Sequence, residues 1–448
     1  MLPPGPTYTL LPLSAASPSG GSSRPTKNPL HAAFSAALSS QLPESLLASL
    51  SLSFAALVSA LPATYLVYSP LLLLPAHAFA TPEWQTLLGA AAADGAWMQG
   101  VWAHVAKEMG VEAVAVNAAI PLGASSTSSS SEAAAAETEH REESPSSWNA
   151  LRSPTGLTPL YGSFGPLPSP MTTTAPTPSD YAAALWVSTR QNGITQTWAP
   201  LYTMFSRGNI REKARLLALL PSLHRSPSAP FAALDLYAGI GYFAFSYRRA
   251  GARPVLCWEL NAWSIEGLRR GAAANGWTTH VVTDVPNDKD QEKRMTKRVG
   301  IADADFIVFP HTNGAALADL AALEEAGITV PPIRHINGGL LPSSRGAWRT
   351  AARAVDGKMG GWLHLHENFG AEEMERRTGE VLAEVGALWE DARRERMGGP
   401  MREGGDGTVK REKGEGVELV HLEKVKTYAP GVWHVVLDVW VPPTEPVE

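Results

Sequence analysis

At 448 residues and 47.7 kDa, the chain exceeds one ordinary domain and makes room for roughly three at ~150 residues each. An apolar fraction of 44% with 14 Trp excludes wholesale disorder, and a net charge of −6 excludes a polycation that coats nucleic acid by bulk charge. The single cysteine, Cys257, excludes an intrachain disulfide framework and any multi-cysteine metal site, and agrees with a reducing, cytoplasmic compartment.

Residues 1–40 are expected to be disordered. They carry two basic residues before position 30, Arg24 and Lys27, without the order of charge, apolar run and cleavage site of a secretory signal. Ser45 to Ala80 has no Asp, Glu, Lys or Arg over a length that could span a membrane. Pro62, Pro70 and Pro75 divide that stretch, so Tyr65–Tyr68 and Leu71–Leu74 read as short buried strands or turns of a globular unit, and no membrane partner is expected. Trp97 to Met109 has helical spacing, Val111 to Ile120 alternates as a strand, and residues 41–122 are expected to form an N-terminal α/β accessory domain.

Residues 123–147 form a Ser/Ala/Glu insert without periodicity, expected to be disordered. Residues 148–230 read as a connecting, RNA-facing segment that includes a basic helix, Ile210 to Leu220. From Phe231 the pattern changes to alternating strands and helices. Strands are predicted at Phe231–Asp235, Pro254–Trp258, Thr279–Thr283, Phe306–Phe309, Ile333–Ile336 and Trp362–His366. Helices are predicted at Tyr242–Ala250, Ala262–Asn275 and Glu372–Arg396, and terminal strands within Val417–Val441 follow a charged loop, residues 398–416. The predicted class for residues 231–448 is α/β, a doubly wound, mostly parallel sheet of the class I methyltransferase-like Rossmann type.

The sharpest motif is Asp235-Leu-Tyr-Ala-Gly239-Ile-Gly241-Tyr-Phe-Ala244, a glycine turn between a strand and a helix. Gly239, Gly241 and Ala244 match the dinucleotide pattern, which alone is weak. Asp235 ends the first strand, where a dinucleotide fold has an apolar residue, and a carboxylate there can take a bond from an ammonium group or hold the loop. Glu259 ends the second strand and is placed to accept both hydroxyls of a ribose. Acid, glycine turn and acid without a pyrophosphate cradle suit S-adenosylmethionine, a nucleoside with an amino-acid tail.

Asp284, after the third strand, can accept from an adenine amino group or serve as a turn residue. Asn337, in His335-Ile-Asn-Gly-Gly-Leu-Leu-Pro342, puts an amide at the usual reaction edge beside Gly338 and Gly339, or the segment is a plain glycine turn. His364 and His366 alternate onto one strand face, too few for a metal site, and read as a hydrogen-bonded, half-buried pair. Ser206, Arg207 and Lys213 form a turn and helix start that can grip a carboxylate or an RNA phosphate, a theme repeated by Lys424 and Lys426.

Taken together, Trp198–Arg215, Asp235–Phe243, His335–Pro342, Leu365–Phe369 and Val425–Asp438 resemble the tRNA wybutosine-synthesizing protein 2 family in its fungal form, and the likeness extends to Tyr65–Trp84, Gly110–Pro121 and Leu151–Pro166. Met-Phe-Ser-Arg-Gly-Asn-Ile-Arg-Glu-Lys and Asn-Gly-Gly-Leu-Leu-Pro are the specific pair of motifs. The resemblance implies a transfer of the 3-amino-3-carboxypropyl group of S-adenosylmethionine to carbon 7 of 4-demethylwyosine, at position 37 of tRNA(Phe), with methylthioadenosine released. It implies the anticodon loop as partner, a monomer, and no metal. In it Asp235 and Glu259 position the donor, Ser206, Arg207 and Lys213 fix its tail, and Asn337 lies near the base. The chain departs from the family at Thr283-Asp284-Val-Pro-Asn, where Gly-Asp-Asn-Arg is usual, and at Tyr237, where Phe is common. Two other readings stand beside it. One is methyl transfer by a relative of the tRNA guanine-37 N1-methyltransferases, which carry Asn-Pro-Pro or Asn-Leu-Pro in place of Asn337-Gly-Gly. The other is a non-catalytic tRNA-binding scaffold.

Overall fold

The computed structural model describes residues 28–93, 95–117, 154, 156–223, 229–282, 300–398 and 416–444. They fall into two compact units, one within Met1–Ala63 and Phe79–Met109, the other within Thr64–Ala78 and Gly110–Glu448.

The first unit is helical, with helices Pro29–Gln41, Glu44–Ser49, Phe54–Ser59, Pro82–Ala93 and Ala96–Met109. Asn28 starts the first by accepting the Leu30 N–H, with Pro29 at the first helical position. Leu30, Ala33, Phe34, Ala37 and Leu38 then recur at helical spacing and are buried, so the disorder expected for residues 1–40 is corrected from Asn28 onward. Phe34 is the centre of an aromatic cluster. Its ring lies 5.7 Å from Trp84 and 5.8 Å from Trp102, both edge-on, and 6.1 Å from Phe79. The Trp84 indole donates to the Leu57 carbonyl at 2.9 Å, so the one polar atom of that buried ring is satisfied.

In the second unit, β1 (Leu66–Tyr68), β2 (Leu71–Pro75), β3 (Ala113–Asn117) and β4 (Leu157–Tyr161) form a four-stranded sheet in that order, with β2 and β3 parallel. The boundary expected at residues 41–122 is therefore corrected. The strands of that region pair onward to β4, and Tyr68, Leu71, Ala113 and Ala115 share a core with Trp198 and Trp263. β5 (Val187–Gln191) and β6 (Ile194–Trp198) make a hairpin through Asn192 and Gly193, both at positive φ (51° and 75°), the backbone a two-residue turn of this twist requires. The insert at 123–147, and nearly all of the charged loop at 398–416, lie outside the described residues.

The large sheet contains β7 (Ala232–Asp235), β8 (Val255–Trp258), β9 (Thr279–Val281), β10 (Phe306–Phe309), β11 (Ile333–Gly338), β12 (Gly361–Gly370), β13 (Glu418–Ala429) and β14 (Val432–Val441). Its order is β13-β14-β12-β11-β7-β8-β10-β9. Strands β7 to β12 are parallel, and β14 runs antiparallel to both its neighbours. This is the doubly wound, class I methyltransferase-like sheet. Alternate residues of the central strands feed two cores. Leu234, Leu256 and Ile307 face helices Trp348–Ala354 and Met374–Arg396, while Ala233, Val255 and Phe306 face helices Ala244–Arg249 and Ala262–Ala274. Among the described residues no helix is long and apolar enough to cross a membrane.

Phe34→Ala should cost the first unit about 3–5 kcal/mol, the range for a phenylalanine removed from a packed core. Chemical denaturation checks this; a loss under ~1 kcal/mol would show that the ring is not the centre of that core.

Candidate functional site

The strand order of the large sheet reverses between β7 and β11, which opens a crevice at their C-terminal ends, where ligands of such sheets bind. Asp235 ends β7 directly opposite Asn337 of β11. Both are fully buried. Asp235 Oδ1 accepts from Asn337 Nδ2 at 3.0 Å and from the Tyr237 N–H at 3.3 Å. Its Oδ2 and the Oδ1 of Asn337 have no hydrogen-bond partner among the described residues. Burial raises the Asp235 carboxyl to about 6, against the pull of the Asn337 amide and the Tyr237 and Ala244 N–H groups.

The turn after Asp235 needs glycine twice. Gly239 and Gly241 sit at φ 55° and 87°, and a Cβ on Gly241 would come within 2.5 Å of the Phe245 ring. Glu259 follows β8 and clasps this turn. Its Oε2 accepts the Gly239 N–H at 2.7 Å and its Oε1 the Asn261 N–H at 2.8 Å. The side chain is half-buried, and burial raises its pKa. Asn261 in turn caps helix Ala262–Ala274 by accepting the Trp263 N–H, and its amide reaches the Tyr202 carbonyl at 3.2 Å. The Trp263 and Tyr202 rings stack at 3.7 Å.

Ser206 and Arg207 lie in a turn that enters helix Ile210–Leu223. Arg207 is exposed, and Ser206 Oγ accepts from Lys426 Nζ at 3.0 Å. Lys213 is placed differently from its neighbours. It is buried, bonded to Gln191 Oε1 at 2.5 Å and Gln196 Oε1 at 2.8 Å, under the rings of Phe205 and Tyr242 at 5.5 and 5.7 Å. Burial brings its pKa down to about 7. Asp284 lies outside the described residues.

The structure thus gathers Asp235, Gly239, Gly241, Glu259 and Asn337 at one crevice and carries Lys213 below an aromatic layer. His364 and His366 are fully buried and not paired with each other, contrary to the expected half-buried pair. His364 bonds Asp438 at 2.7 Å and His335 at 3.1 Å, whereas His366 bonds His434 at 2.9 Å. Sequence reading missed Tyr242 and the Arg215–Asp438 pair. Tyr242 had a signal in its place inside the glycine turn. The pair spans 223 residues and had none.

No family model matches the chain. It is 38% identical over 321 residues to tRNA wybutosine-synthesizing protein 2 of Schizosaccharomyces pombe, covering 71% of the chain and 64% of that protein. It is 33% identical over 306 residues to tRNA wybutosine-synthesizing protein 2 of Saccharomyces cerevisiae, covering 65% of the chain and 57% of that protein. By sequence the chain is similar to the tRNA wybutosine-synthesizing protein 2 family. It spans somewhat less than two thirds of the length of these two relatives. The crystal structure of P. horikoshii TYW2 in complex with MeSAdo overlaps 92% of the chain and 99% of its own, at 18% identity and a TM-score of 0.46.

In this relative of the wybutosine-synthesizing proteins, the raised pKa of Asp235 has a sign that can be tested. The carboxyl titrates near 6 in the fold and near about 4 when unfolded, so folding takes up a proton between those values. The ionised side chain opposes folding above pH 6, and that opposition fades as pH falls. Asp235→Asn, which keeps the shape and can still bond Asn337, should melt above the parent at pH 8, with the gap narrowing towards pH 4.5. Melting below the parent at pH 8 would contradict the burial argument.

Proposed function

We propose that the crevice binds S-adenosylmethionine and transfers its 3-amino-3-carboxypropyl group to carbon 7 of 4-demethylwyosine at position 37 of tRNA(Phe), releasing methylthioadenosine. The observation that carries this reading is the clasp of Glu259 on Gly239 beside the orphaned Oδ2 of Asp235. The residues present fit the donor. Each oxygen of Glu259 uses one lone pair on a backbone N–H and keeps another for a ribose hydroxyl. Leu260, half exposed beside it, offers the adenine an apolar face. Asp235 Oδ2 is a buried acceptor without a donor, and an ammonium group would satisfy it. Asn337 holds the other oxygen of that carboxylate, so its part is to aim Asp235 as well as to border the base. Ser206 and Arg207 hold the tail, and Lys213 supports them from beneath the Phe205 and Tyr242 rings.

The sulfonium carries three electrophilic carbons, and the one held in line with the nucleophile reacts. Carbon 7 of the base attacks the γ-carbon of the tail. The γ-carbon–sulfur bond breaks with its electron pair left on sulfur, and the proton on carbon 7 passes to solvent water as the base regains its aromatic ring. The sulfur turns from cation to neutral thioether, so the leaving group needs no proton and the step no Lewis acid. The protein's work is placement, and we assign no metal to it. We infer the anticodon loop of tRNA(Phe) as partner, met by exposed cations such as Arg207 and Lys424, and a cytoplasmic monomer as the working form.

Two preparations of S-adenosylmethionine, one labelled in the methyl carbon and one in the carboxyl carbon, test the reading with tRNA(Phe) carrying 4-demethylwyosine. Carboxyl label should enter the tRNA and methyl label should leave with methylthioadenosine. Methyl label in the tRNA, with S-adenosylhomocysteine formed, would make the chain a methyltransferase. No label in the tRNA would favour the scaffold.

A further inference from the structure

We propose that Tyr242 is the positioning residue that decides which substituent of the sulfonium meets the base, by fixing the Met204–Ser206 loop at a set distance from the glycine turn. The proposal rests on the reading of the crevice as a site for S-adenosylmethionine. Tyr242 follows Gly241, so its backbone belongs to the turn that meets the nucleoside. Its ring lies against Gly239, where an added Cβ would come within 3.1 Å of it. Its hydroxyl leaves the turn altogether. It accepts the Ser206 N–H at 2.9 Å and donates to the Met204 carbonyl, closing a two-bond clamp on a loop 36 to 38 residues earlier in the chain.

The clamp is held from several sides. The ring stacks on Phe205 at 5.8 Å and 19°, and Phe205 stacks on Trp198 at 4.2 Å and 12°. Tyr68 meets both Trp198 and Phe205 edge-on. Lys213 lies under the Phe205 and Tyr242 rings and is pinned by two glutamine oxygens, one of them from Gln196, whose amide reaches the Tyr242 carbonyl at 3.4 Å. Lys426 takes the hydroxyl of Ser206, and its chain fills the space a side chain at Gly208 would need.

The nucleoside half of the donor is tied to Glu259 and the turn, the tail half to the loop at Ser206 and Arg207. With adenosine fixed, the angle at sulfur depends on where that loop stands. Among the described residues, Tyr242 is the side chain of the turn whose hydroxyl is bonded to that loop.

Tyr242→Phe keeps the ring, its stacking and its contact with Gly239, and removes the hydroxyl alone. Calorimetry on the full chain compares S-adenosylmethionine with methylthioadenosine, which has the same nucleoside and sulfur and no tail. Loss of the two bonds should weaken S-adenosylmethionine roughly 5- to 150-fold while methylthioadenosine stays within about twofold. In the tRNA reaction the share of label transferred as methyl should rise over the parent's. Equal weakening of both ligands would mean that Tyr242 only props the turn, and no change in either would mean that the hydroxyl is idle; both outcomes overturn the proposal. Lys426→Met loosens Ser206 from the far side without touching the turn and should give the same split between the two ligands. If Tyr242→Phe does not fold, an equal loss of both ligands in Lys426→Met overturns the proposal in its place. A parent chain that transfers methyl would instead refute the proposed function, and the split between the two ligands would remain readable.

Discussion

Between β7 and β11 the sheet changes direction, and the helices that follow these two strands pack on opposite faces. Helix Ala244–Arg249 joins the core with Phe306 and Val255, and helix Trp348–Ala354 the core with Leu256 and Ile307. Their departure to opposite faces puts the ends of both strands at the switch point, and the bond from Asn337 to Asp235 joins them. Everything in the crevice follows from this placement. The glycine turn starts from Asp235, the next strand delivers Glu259 back to the Gly239 N–H, and the loop after Asn337 forms the opposite wall. A dehydrogenase would put an apolar residue at position 235. A buried acid there, with one oxygen unbonded, is what the proposed binding of a cationic tail would use.

A second constraint holds the loop at Ser206 to the sheet. Helix Ile210–Leu223 carries Arg215, which binds Glu212 on its own helix and Asp438 on β14, with His364 on the same carboxylate. All of these groups lie in the protein interior or at its edge, where an unpaired charge is costly. Burial alone would raise the Asp438 carboxyl, but His364 and Arg215 outweigh it and hold it well below the usual range. Glu212 goes the other way, raised by burial in spite of Arg215. The network therefore sets the height of a helix whose entry turn bears Ser206 and Arg207, the residues proposed to meet the donor's tail. Tyr242 ties that helix entry to the glycine turn, so the two halves of the proposed donor site share one rigid frame.

Local patterns made much of this legible. The strand at Phe306–Phe309 matches its predicted range, and β7, β8, the glycine turn and the acids at 235 and 259 each follow from a few adjacent residues. The helix at Pro29–Gln41 was also written in its sequence, in the spacing of Leu30, Phe34 and Leu38 behind Asn28 and Pro29, which the low-complexity stretch before it obscured. Long-range pairing was not legible. The bond from Asn337 to Asp235 spans 102 residues, and β3 finds β4 only beyond the Ser/Ala/Glu insert, which is why the first unit's boundary was misplaced. The burial of Lys213 had no local signal either, since its two partners lie on the hairpin β5–β6 and its cover comes from Phe205 and the glycine turn.

Glu259, which clasps the glycine turn through the Gly239 N–H, is the proposed seat of the donor's ribose. Titration calorimetry with S-adenosylmethionine, on the parent and on Glu259→Ala, measures this without tRNA or turnover. Charge-assisted hydrogen bonds to the ribose hydroxyls correspond to roughly 10- to 150-fold in affinity, and the variant should lose that much while keeping its melting temperature in the absence of ligand. Equal affinity in the two proteins would contradict the assignment of the crevice.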